Sequence, residues 1–420
     1  MRTLVSHDSN TGSRFSKRRR HFLEPIAFPK ENPRFEKPPM TNNVNLVMPL
    51  RIIIPKAVTL AEEKKKLVFH ALGDSGGIHG EDVQNAVAEA MESQIAKEVS
   101  ADNPSFAYHL GDVIYFNGQS EFYTSQFYDP YKYYPCPMFA IAGNHDGDTI
   151  TRSGDPEDTE TTLFGFMENF CAPYPRHIDT YRATMTQPYV YWTLDAPLLT
   201  IIGLYSNVEG TLDARGTFEQ HKWLEDQLAA APKDRFLAIA VHHPPYSLDQ
   251  SHGGCPDIAA ALDHAMQYTK VIPHVVLSGH VHNYQRFTRV YEDREIPHVI
   301  DGRGGYANTP RSMHKLQKDQ DGNYPPQKVK TVSEEDQTLD LTLESYDQEN
   351  PGFLKVTVTD QALTVESYTV PFNGPFTNAP ADSVTVSMEG KIVEPSSGHS
   401  ENPSGHSRGG HGGGRTRRST

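Results

Sequence analysis

Five short apolar segments of this 420-residue chain each run directly into a segment that carries Asp, Asn or His. The apolar segments are residues 67–72, 106–110, 138–142, 236–241 and 275–277, and the motifs that follow them are GDSGG, GDVIY, GNHD, HHPPY and GHVH. Short apolar runs of this kind are typical of buried strands. Because ligands bind at the carboxyl ends of strands in open α/β sheets, we expect the five motifs to converge on one crevice.

Helical and strand patterns alternate around these segments. Between the first two, apolar residues recur at helical spacing, at Val83, Val87, Ala90, Met91, Ile95 and Val99. This spacing predicts a strand–helix–strand unit. Further helices are predicted near residues 218–228 and 258–268, and hairpins at residues 189–204 and 354–367. The predicted fold class is therefore α/β, a two-sheet sandwich flanked by helices (αββα).

The domain boundaries are predicted from composition. Residues 1–45 are polar, proline-bearing and aperiodic, and residues 388–420 are rich in Gly, Ser, His and Arg. Such segments cannot bury enough apolar surface to fold, so we expect two disordered tails. We expect a single domain at residues 46–387, with the motifs at 67–286, since a large sandwich can hold that length as one unit.

Composition also excludes several classes of protein. The formal net charge of −14 argues against a general nucleic-acid binder, which needs a basic face. No apolar run approaches the length of a membrane span. Three cysteines are too few for a disulfide framework or a thiolate metal site. A small phosphorylated substrate remains compatible with the negative charge, because bound cations can reverse the local field.

The N-terminal region bears on localisation. The basic residues 17–20 are not followed by the apolar core of a signal peptide, so a cytoplasmic location is the expectation. A nuclear signal and an upstream start are the alternative explanations for the basic cluster. Nothing in the sequence specifies an oligomeric state.

Taken singly, each polar residue of the motifs has an ordinary structural explanation. Asp74 or Asp112 could serve as a turn or cap residue, Asn144 could occupy a left-handed position, and His280 could be a hydrogen-bonded structural histidine. Separate structural roles do not readily explain why five strand ends all carry such residues, in the order Asp, Asp, Asn-His, His and His-x-His. Oxygen and imidazole ligands without thiolates favour a site for Mn, Zn or Fe.

The five motifs together resemble those of the calcineurin-like metallophosphoesterases, and in particular those of the purple acid phosphatases. Asp74-Ser75-Gly76 stands where the wider superfamily usually has Asp-x-His, and Tyr115 completes a GDxxY motif as in the purple branch. The resemblance covers roughly residues 67–286.

Transferred residue by residue, the resemblance implies a set of ligands for two metal ions. These are Asp74, Tyr115 and His282 for one ion, Asn144, His242 and His280 for the other, and Asp112 as a bridge between both. The resemblance further implies that His145 and His252 are catalytic residues that contact the phosphate. His243 is assigned a supporting role, because an adjacent extended residue points the other way.

The resemblance also implies the chemistry. The cofactors would be Fe(III) and a divalent Fe, Zn or Mn ion, and a metal-bound hydroxide would hydrolyse a phosphomonoester. Tyr115 favours Fe(III), because a phenol of pKa near 10 ionises at neutral pH only beside a strongly Lewis-acidic ion. One alternative is a dimanganese or dizinc phosphodiesterase of the same superfamily, with Tyr115 packed beside the site. Another is a non-catalytic binding protein on this fold.

Overall fold

The computed structural model describes residues 45–147, 160–208, 217–331 and 339–393, together with residues 38, 39, 41, 212 and 213. The strands are β1 (Val47–Pro49), β2 (Lys66–Leu72), β3 (Ala107–His109), β4 (Met138–Ala140), β5 (Trp192–Ala196), β6 (Leu199–Leu204), β7 (Phe236–Val241), β8 (Val275–Ser278), β9 (Tyr284–Tyr291), β10 (Arg294–Asp301), β11 (Val329–Thr331), β12 (Asp340–Asp347), β13 (Gly352–Thr359), β14 (Ala362–Thr369) and β15 (Asp382–Ser387). The α-helices are α1 (Pro55–Lys64), α2 (Asp82–Ser93), α3 (Asn144–Gly147), α4 (Phe164–Phe170), α5 (Glu219–Ala230) and α6 (Pro256–Thr269).

The strands form two sheets. Among the described residues, one has six strands in the order β15-β14-β13-β2-β3-β4, and the other has nine in the order β1-β5-β6-β7-β8-β10-β9-β12-β11. The neighbouring strands that precede the motifs are parallel: β2 pairs with β3, β3 with β4, and β7 with β8. Parallel pairing brings their carboxyl ends to the same edge.

The two sheets pack face to face because residues along each strand alternate between the inner and outer faces. Ala71 of β2 and Ala238 of β7 belong to the core between the sheets. Leu72, the next residue of β2, faces outward and packs with α2, while Ile239 of β7 packs with α5 and α6. The sequence of layers is helix, sheet, sheet, helix, and the predicted fold class is confirmed.

Most predicted elements are present, but the first predicted helix is too long. Helix α2 ends at Ser93, and Val99, which the helical spacing included, is 90% exposed. The side chain of Asn103 accepts from Ala96 N–H and donates to the carbonyls of Ala96 and Glu98. These bonds hold the segment in a loop in place of a further helical turn.

The predicted boundary of the domain at residue 387 is too early. Ile392 forms a bridge with Val386 of β15, and Val393 N–H donates to Thr385 O at 2.8 Å, so residues 388–393 turn back onto the sheet. The rest of the predicted C-terminal tail and nearly all of residues 1–45 lie outside the described residues. Within the described part of the chain, no helix has both the length and the apolar character needed to cross a bilayer.

Candidate metal centre

The carboxyl ends of β2, β3, β4, β7 and β8 meet where the two sheets adjoin. Within the six-stranded sheet, Asp74 N–H donates to Gly111 O at 3.0 Å, and within the other sheet Gly279 N–H donates to His242 O at 3.1 Å. Between the sheets, His280 N–H donates to Asp74 Oδ2 at 2.7 Å. The structure therefore brings the five motifs into contact, as the sequence predicts.

The first group of side chains, which we call the Tyr115 cluster, consists of Asp74, Tyr115 and His282. The hydroxyl of Tyr115 lies 3.2 Å from Asp74 Oδ1 and 3.4 Å from His282 Nε2. His282 Nε2 lies 3.3 Å from the same carboxylate oxygen. All three side chains are buried. Three donor atoms this close can share one cation.

The second group, the Asn144 cluster, consists of Asn144, His242 and His280, with Asp112 beside it. Asn144 Oδ1 lies 3.1 Å from His242 Nε2 and 3.0 Å from His280 Nδ1. Asp112 Oδ2 lies 3.3 Å from His242 Nε2. Asp112, His242 and His280 offer ligand atoms that all lie within 4.8 Å of one another, which is a geometry suited to a second cation.

Three of these residues adopt a left-handed backbone conformation. Asp74, Asp112 and His280 have φ of 58°, 53° and 68°, and each directly follows a glycine. This conformation costs a non-glycine residue roughly 1–3 kcal/mol and is concentrated at functional sites. The close packing also requires Gly143, where a Cβ would lie 2.2 Å from Asp112 Oδ1.

Burial and mutual contact shift the ionisation of the site. Burial raises the pKa of Asp74 to about 7, although His242 opposes the rise. Burial also disfavours the charge of Asp112, but His242 and His145 outweigh it and hold the pKa of Asp112 below its ordinary value. Burial by itself would lower the pKa of His242, but the Asp112 carboxylate raises it to about 9. Burial lowers the pKa of His282 to about 3, so its imidazole is neutral and can bind a cation.

The donor set fits two cations. It contains two buried carboxylates, a phenol, an amide oxygen and three imidazoles, which are the oxygen and nitrogen ligands that Fe, Mn and Zn accept. Within the described residues, the ion pairs that Asp74 and Asp112 make are with histidines and not with Lys or Arg. Buried carboxylates need a positive partner, and bound cations would supply it.

Supporting contacts fix several of the candidate ligands. His242 Nδ1 donates to Leu110 O at 2.8 Å, so its Nε2 is free to face the Asn144 cluster. Gln126 binds both backbone groups of Tyr115, accepting from its N–H and donating to its carbonyl, each at 2.9 Å. Asp146 accepts from Val113 N–H at 3.1 Å and from Gly143 N–H at 2.8 Å, which joins the loops after β3 and β4.

The two predicted catalytic histidines lie at the edge of the clusters. His145 Nδ1 donates to Phe116 O at 2.8 Å, and its ring lies 4.6 Å from that of Tyr115. The ring of His252 lies 5.1 Å from that of His280, and its side chain is 38% exposed. The assignment of both residues to catalysis stays a prediction. The Nδ1 of His243 lies 2.8 Å from Ser206 Oγ, and the ring of His243 lies 4.4 Å from that of His280.

Four residues around the site were not identified from the sequence. Asp146 lies within the GNHD motif and could have been found as a loop-joining carboxylate, but Gln126, Tyr306 and His314 lie in segments without a motif. The ring of Tyr306 stacks on Tyr115 with centroids 4.1 Å apart, and that of His314 stacks on His282 at 4.1 Å.

Comparisons with known proteins bear on the family of this chain. The profile of the family described as calcineurin-like phosphoesterase matches residues 67–284. Human tartrate-resistant acid phosphatase type 5 is 25% identical over 266 residues, which cover 59% of this chain and 76% of that protein. Purple acid phosphatase 22 of Arabidopsis thaliana is 26% identical over 177 residues, which cover 40% of this chain and 36% of that protein.

Solved structures show the same fold. Purple acid phosphatase PPD1 from yellow lupin seeds superposes with a TM-score of 0.53 at 18% identity, over 77% of this chain and 54% of the lupin chain. This chain thus spans about half of that protein. The family profile matches just over half of the chain and includes all the motifs from GDSGG to GHVH. The chain therefore belongs to the calcineurin-like phosphoesterase family.

Proposed function

We propose that this protein is an acid phosphatase-like phosphomonoesterase of the purple type, with a dinuclear metal centre. One ion, Fe(III), would bind the Tyr115 cluster, and a divalent Fe, Zn or Mn ion would bind the Asn144 cluster, with Asp112 between them. When bound, the two ions would supply Lewis acidity and an activated water for attack on phosphorus. The substrate would be a small phosphorylated molecule.

The observation that carries this proposal is the position of the Tyr115 hydroxyl. If Tyr115 were only packed beside the site, its hydroxyl would have no reason to point at ligand atoms. It lies instead within 3.4 Å of both Asp74 Oδ1 and His282 Nε2. Burial and the nearby carboxylates raise the pKa of the Tyr115 phenol well above its ordinary value, so a strongly Lewis-acidic cation is needed to ionise it.

The residues around the clusters have roles that follow from their contacts. Asp112 accepts from His145 N–H through Oδ1 at 2.8 Å, while its Oδ2 faces His242. Each carboxylate oxygen therefore has a partner that fixes the orientation of the carboxylate. The Nδ1 proton of His145 is committed to Phe116 O, so exchange of a proton with the leaving group would take place at Nε2. His252 would contact the phosphate from the His280 side.

The test is the absorption spectrum and metal content of wild type and of Tyr115→Phe, each reconstituted with iron under oxidising conditions. We expect a visible phenolate-to-iron band in the wild type that Tyr115→Phe loses while it stays folded. Tyr108→Phe is the matched control, because Tyr108 is a buried phenol of the core whose hydroxyl has no hydrogen-bond partner among the described residues.

Paired assays on a phosphomonoester and a phosphodiester complete the test. The proposal requires faster turnover of the monoester by the iron-loaded protein. A colourless wild type that is fully active with Mn or Zn, or that prefers the diester, would assign the chain to the dimanganese or dizinc phosphodiesterases instead.

A further inference from the structure

The loop that follows β10 lies along one of the two clusters. Gly304 N–H donates to Gly73 O at 2.9 Å, and Tyr306 N–H donates to Asp74 O at 3.0 Å. Further along the same loop, His314 N–H donates to His282 O at 3.1 Å. The loop thus contacts Asp74 and His282, both members of the Tyr115 cluster.

His282 lacks the support that is usual for a metal-binding histidine. Such a residue normally donates its other ring N–H to a carbonyl or carboxylate, as His242 does to Leu110 O. Nδ1 of His282 is buried and has no hydrogen-bond partner among the described residues. On the Nδ1 side the His282 ring is therefore held by packing, and the nearest rings are those of His314, at 4.1 Å and 21°, and Tyr306, at 4.5 Å.

His314 also forms hydrogen bonds with both backbone groups of His282, the N–H and the carbonyl. His282 N–H donates to His314 Nδ1 at 3.0 Å, in addition to the bond from His314 N–H to His282 O. An imidazole that accepts at Nδ1 carries its proton on Nε2 when neutral.

This tautomer distinguishes His314 from a ligand of a third cation. Asp249, His252 and His314 offer atoms that lie within 4.8 Å of one another, which resembles a metal site. Because Nδ1 of His314 accepts from the backbone, a metal at Nε2 would require loss of the remaining ring proton. His314 is therefore a hydrogen-bonding and stacking residue, in near-parallel contact with both His282 and His252.

We infer that His314 is a positioning residue for the Tyr115 cluster: its Nδ1 and its ring fix His282, and it thereby controls retention of the ion in that cluster and not of the ion in the Asn144 cluster. The inference rests on the proposed function for the identity of the ions. None of the hydrogen bonds and ring contacts described for His314 involves Asn144 or His242, so the effect is confined to one of the two sites.

The experiment measures metal stoichiometry and affinity in wild type, His314→Ala, His314→Asn and His314→Gln. Removal of a residue that orients a ligand costs about 10–100-fold in metal affinity. We expect His314→Ala to bind one of the two ions with an affinity lower by that factor, and to lose the phenolate-to-iron absorption band. The Asn side chain can place an oxygen near Nδ1 and accept from His282 N–H, so His314→Asn should retain more affinity than His314→Gln, whose amide reaches toward Nε2.

His274 provides a matched control for burial and hydrogen bonding. It is also a buried histidine that accepts a backbone N–H at Nδ1, from Leu237 at 3.0 Å, but it lies between β7 and Met388, away from both clusters. His274→Ala should lower thermal stability and leave both metal affinities unchanged. Equal effects of His274→Ala and His314→Ala on metal binding would overturn the inference.

The remaining outcomes separate this inference from the proposed function. If the wild type binds two ions but is colourless or prefers a diester, the proposed function fails, while the metal affinities still decide the role of His314. If His314→Ala binds both ions as the wild type does, or if His314→Asn and His314→Gln behave alike, the inference fails and the phosphatase assignment stands. A wild type that binds no ion overturns both.

Discussion

At the scale of single residues, Asp112 is the residue of the site whose carboxylate interacts with groups of both clusters. Its carboxylate is buried beside His242 and accepts from the His145 N–H. Burial is the main cause of the raised pKa of Asp74 and of Tyr115 in the neighbouring cluster, and the charge of Asp112 adds to both. A charge that influences both clusters is suited to offset the repulsion between two cations, which a neutral amide of the same shape cannot do.

We therefore expect Asp112→Asn to abolish phosphoester hydrolysis and to lower the metal content of the purified protein. Metal quantitation by elemental analysis, alongside a phosphatase assay, measures both effects. Asp263→Asn, a substitution at a partly exposed carboxylate paired with Arg289, is the control and should change neither. Near-normal turnover with two ions in Asp112→Asn would contradict the bridging role.

The predicted ligands could be found from sequence because each belongs to a short motif at a strand end. His314, Gln126 and Tyr306 could not be found in this way, because their contacts depend on where distant loops pack. Gln126, for example, supports Tyr115 through the backbone, and a single glutamine in an aromatic-rich segment carries no signal of such a partner. The roles of the motif residues as ligands stay predictions until metal is measured.

At the scale of elements, the turn after β4 depends on the small size of Gly143. A Cβ at this position would meet Asp112 Oδ1 at 2.2 Å and Asp112 N at 2.4 Å, and the second of these atoms is backbone and cannot rotate away. The loops after β3 and β4 would have to separate, although Asp146 joins them through Val113 N–H and Gly143 N–H.

We expect Gly143→Ala to reduce turnover at least about 100-fold, because misplacement of a catalytic group by about 1 Å has an effect of that order. Gly322→Ala is the control: Gly322 has a φ of +82° and open space around it, so the substitution should cost about 1–2 kcal/mol of stability without loss of activity. Thermal unfolding and turnover, measured on both variants, separate the two effects. Full activity of Gly143→Ala would show that the loops tolerate the displacement.

Strand β9 is one of the elements that sequence patterns missed. Strand β9 contains Arg286 and Arg289, which interrupt the apolar alternation that predicts a strand. In the structure Arg286 binds both oxygens of Asp382 at 2.6 and 2.9 Å, and Arg289 pairs with Asp263. Pairing partners so far along the chain cannot be read from a local pattern, so β9 and its neighbour β10 were not predicted.

At the scale of the whole molecule, buried neutral histidines link stability to pH. His70 lies in the six-stranded sheet, where Nδ1 accepts from the Tyr134 hydroxyl and Nε2 donates to Gln94 Oε1, each at 3.0 Å. Burial lowers the pKa of His70 to about 3. The unfolded chain therefore takes up a proton near pH 6.5 that the folded chain does not.

The sign of the effect follows from this difference. The stability due to neutral His70 is fully present above pH 6.5 and is lost as the pH falls toward 3, at up to about 1.4 kcal/mol per pH unit. We expect the free energy of unfolding of His70→Gln, measured with urea between pH 7.5 and pH 5, to fall less steeply than that of wild type. His264→Gln, at an exposed histidine, should keep the wild-type slope. Parallel slopes for His70→Gln and wild type would contradict the assignment.

The order of the strands could not be predicted from the sequence either. The alternation of patterns indicated two sheets, but nothing local indicates that β13 pairs with β2 or that β1 pairs in parallel with β5. Those pairings join segments far apart in the chain, and they are selected by which apolar faces fill the space between the sheets.

The position of the site where the two sheets adjoin also has a consequence for the order of events during synthesis. Asp74, Asp112 and Asn144 follow β2, β3 and β4 of the six-stranded sheet, which are made early, whereas His242, His280 and His282 follow β7 and β8 of the other sheet and are made much later. A nascent chain that ends before His242 holds the carboxylates, the phenol and the amide but lacks every imidazole of either cluster. High-affinity loading of the proposed metal centre would therefore wait until most of the chain has been made, and metals that prefer oxygen ligands would compete best for the unfinished protein.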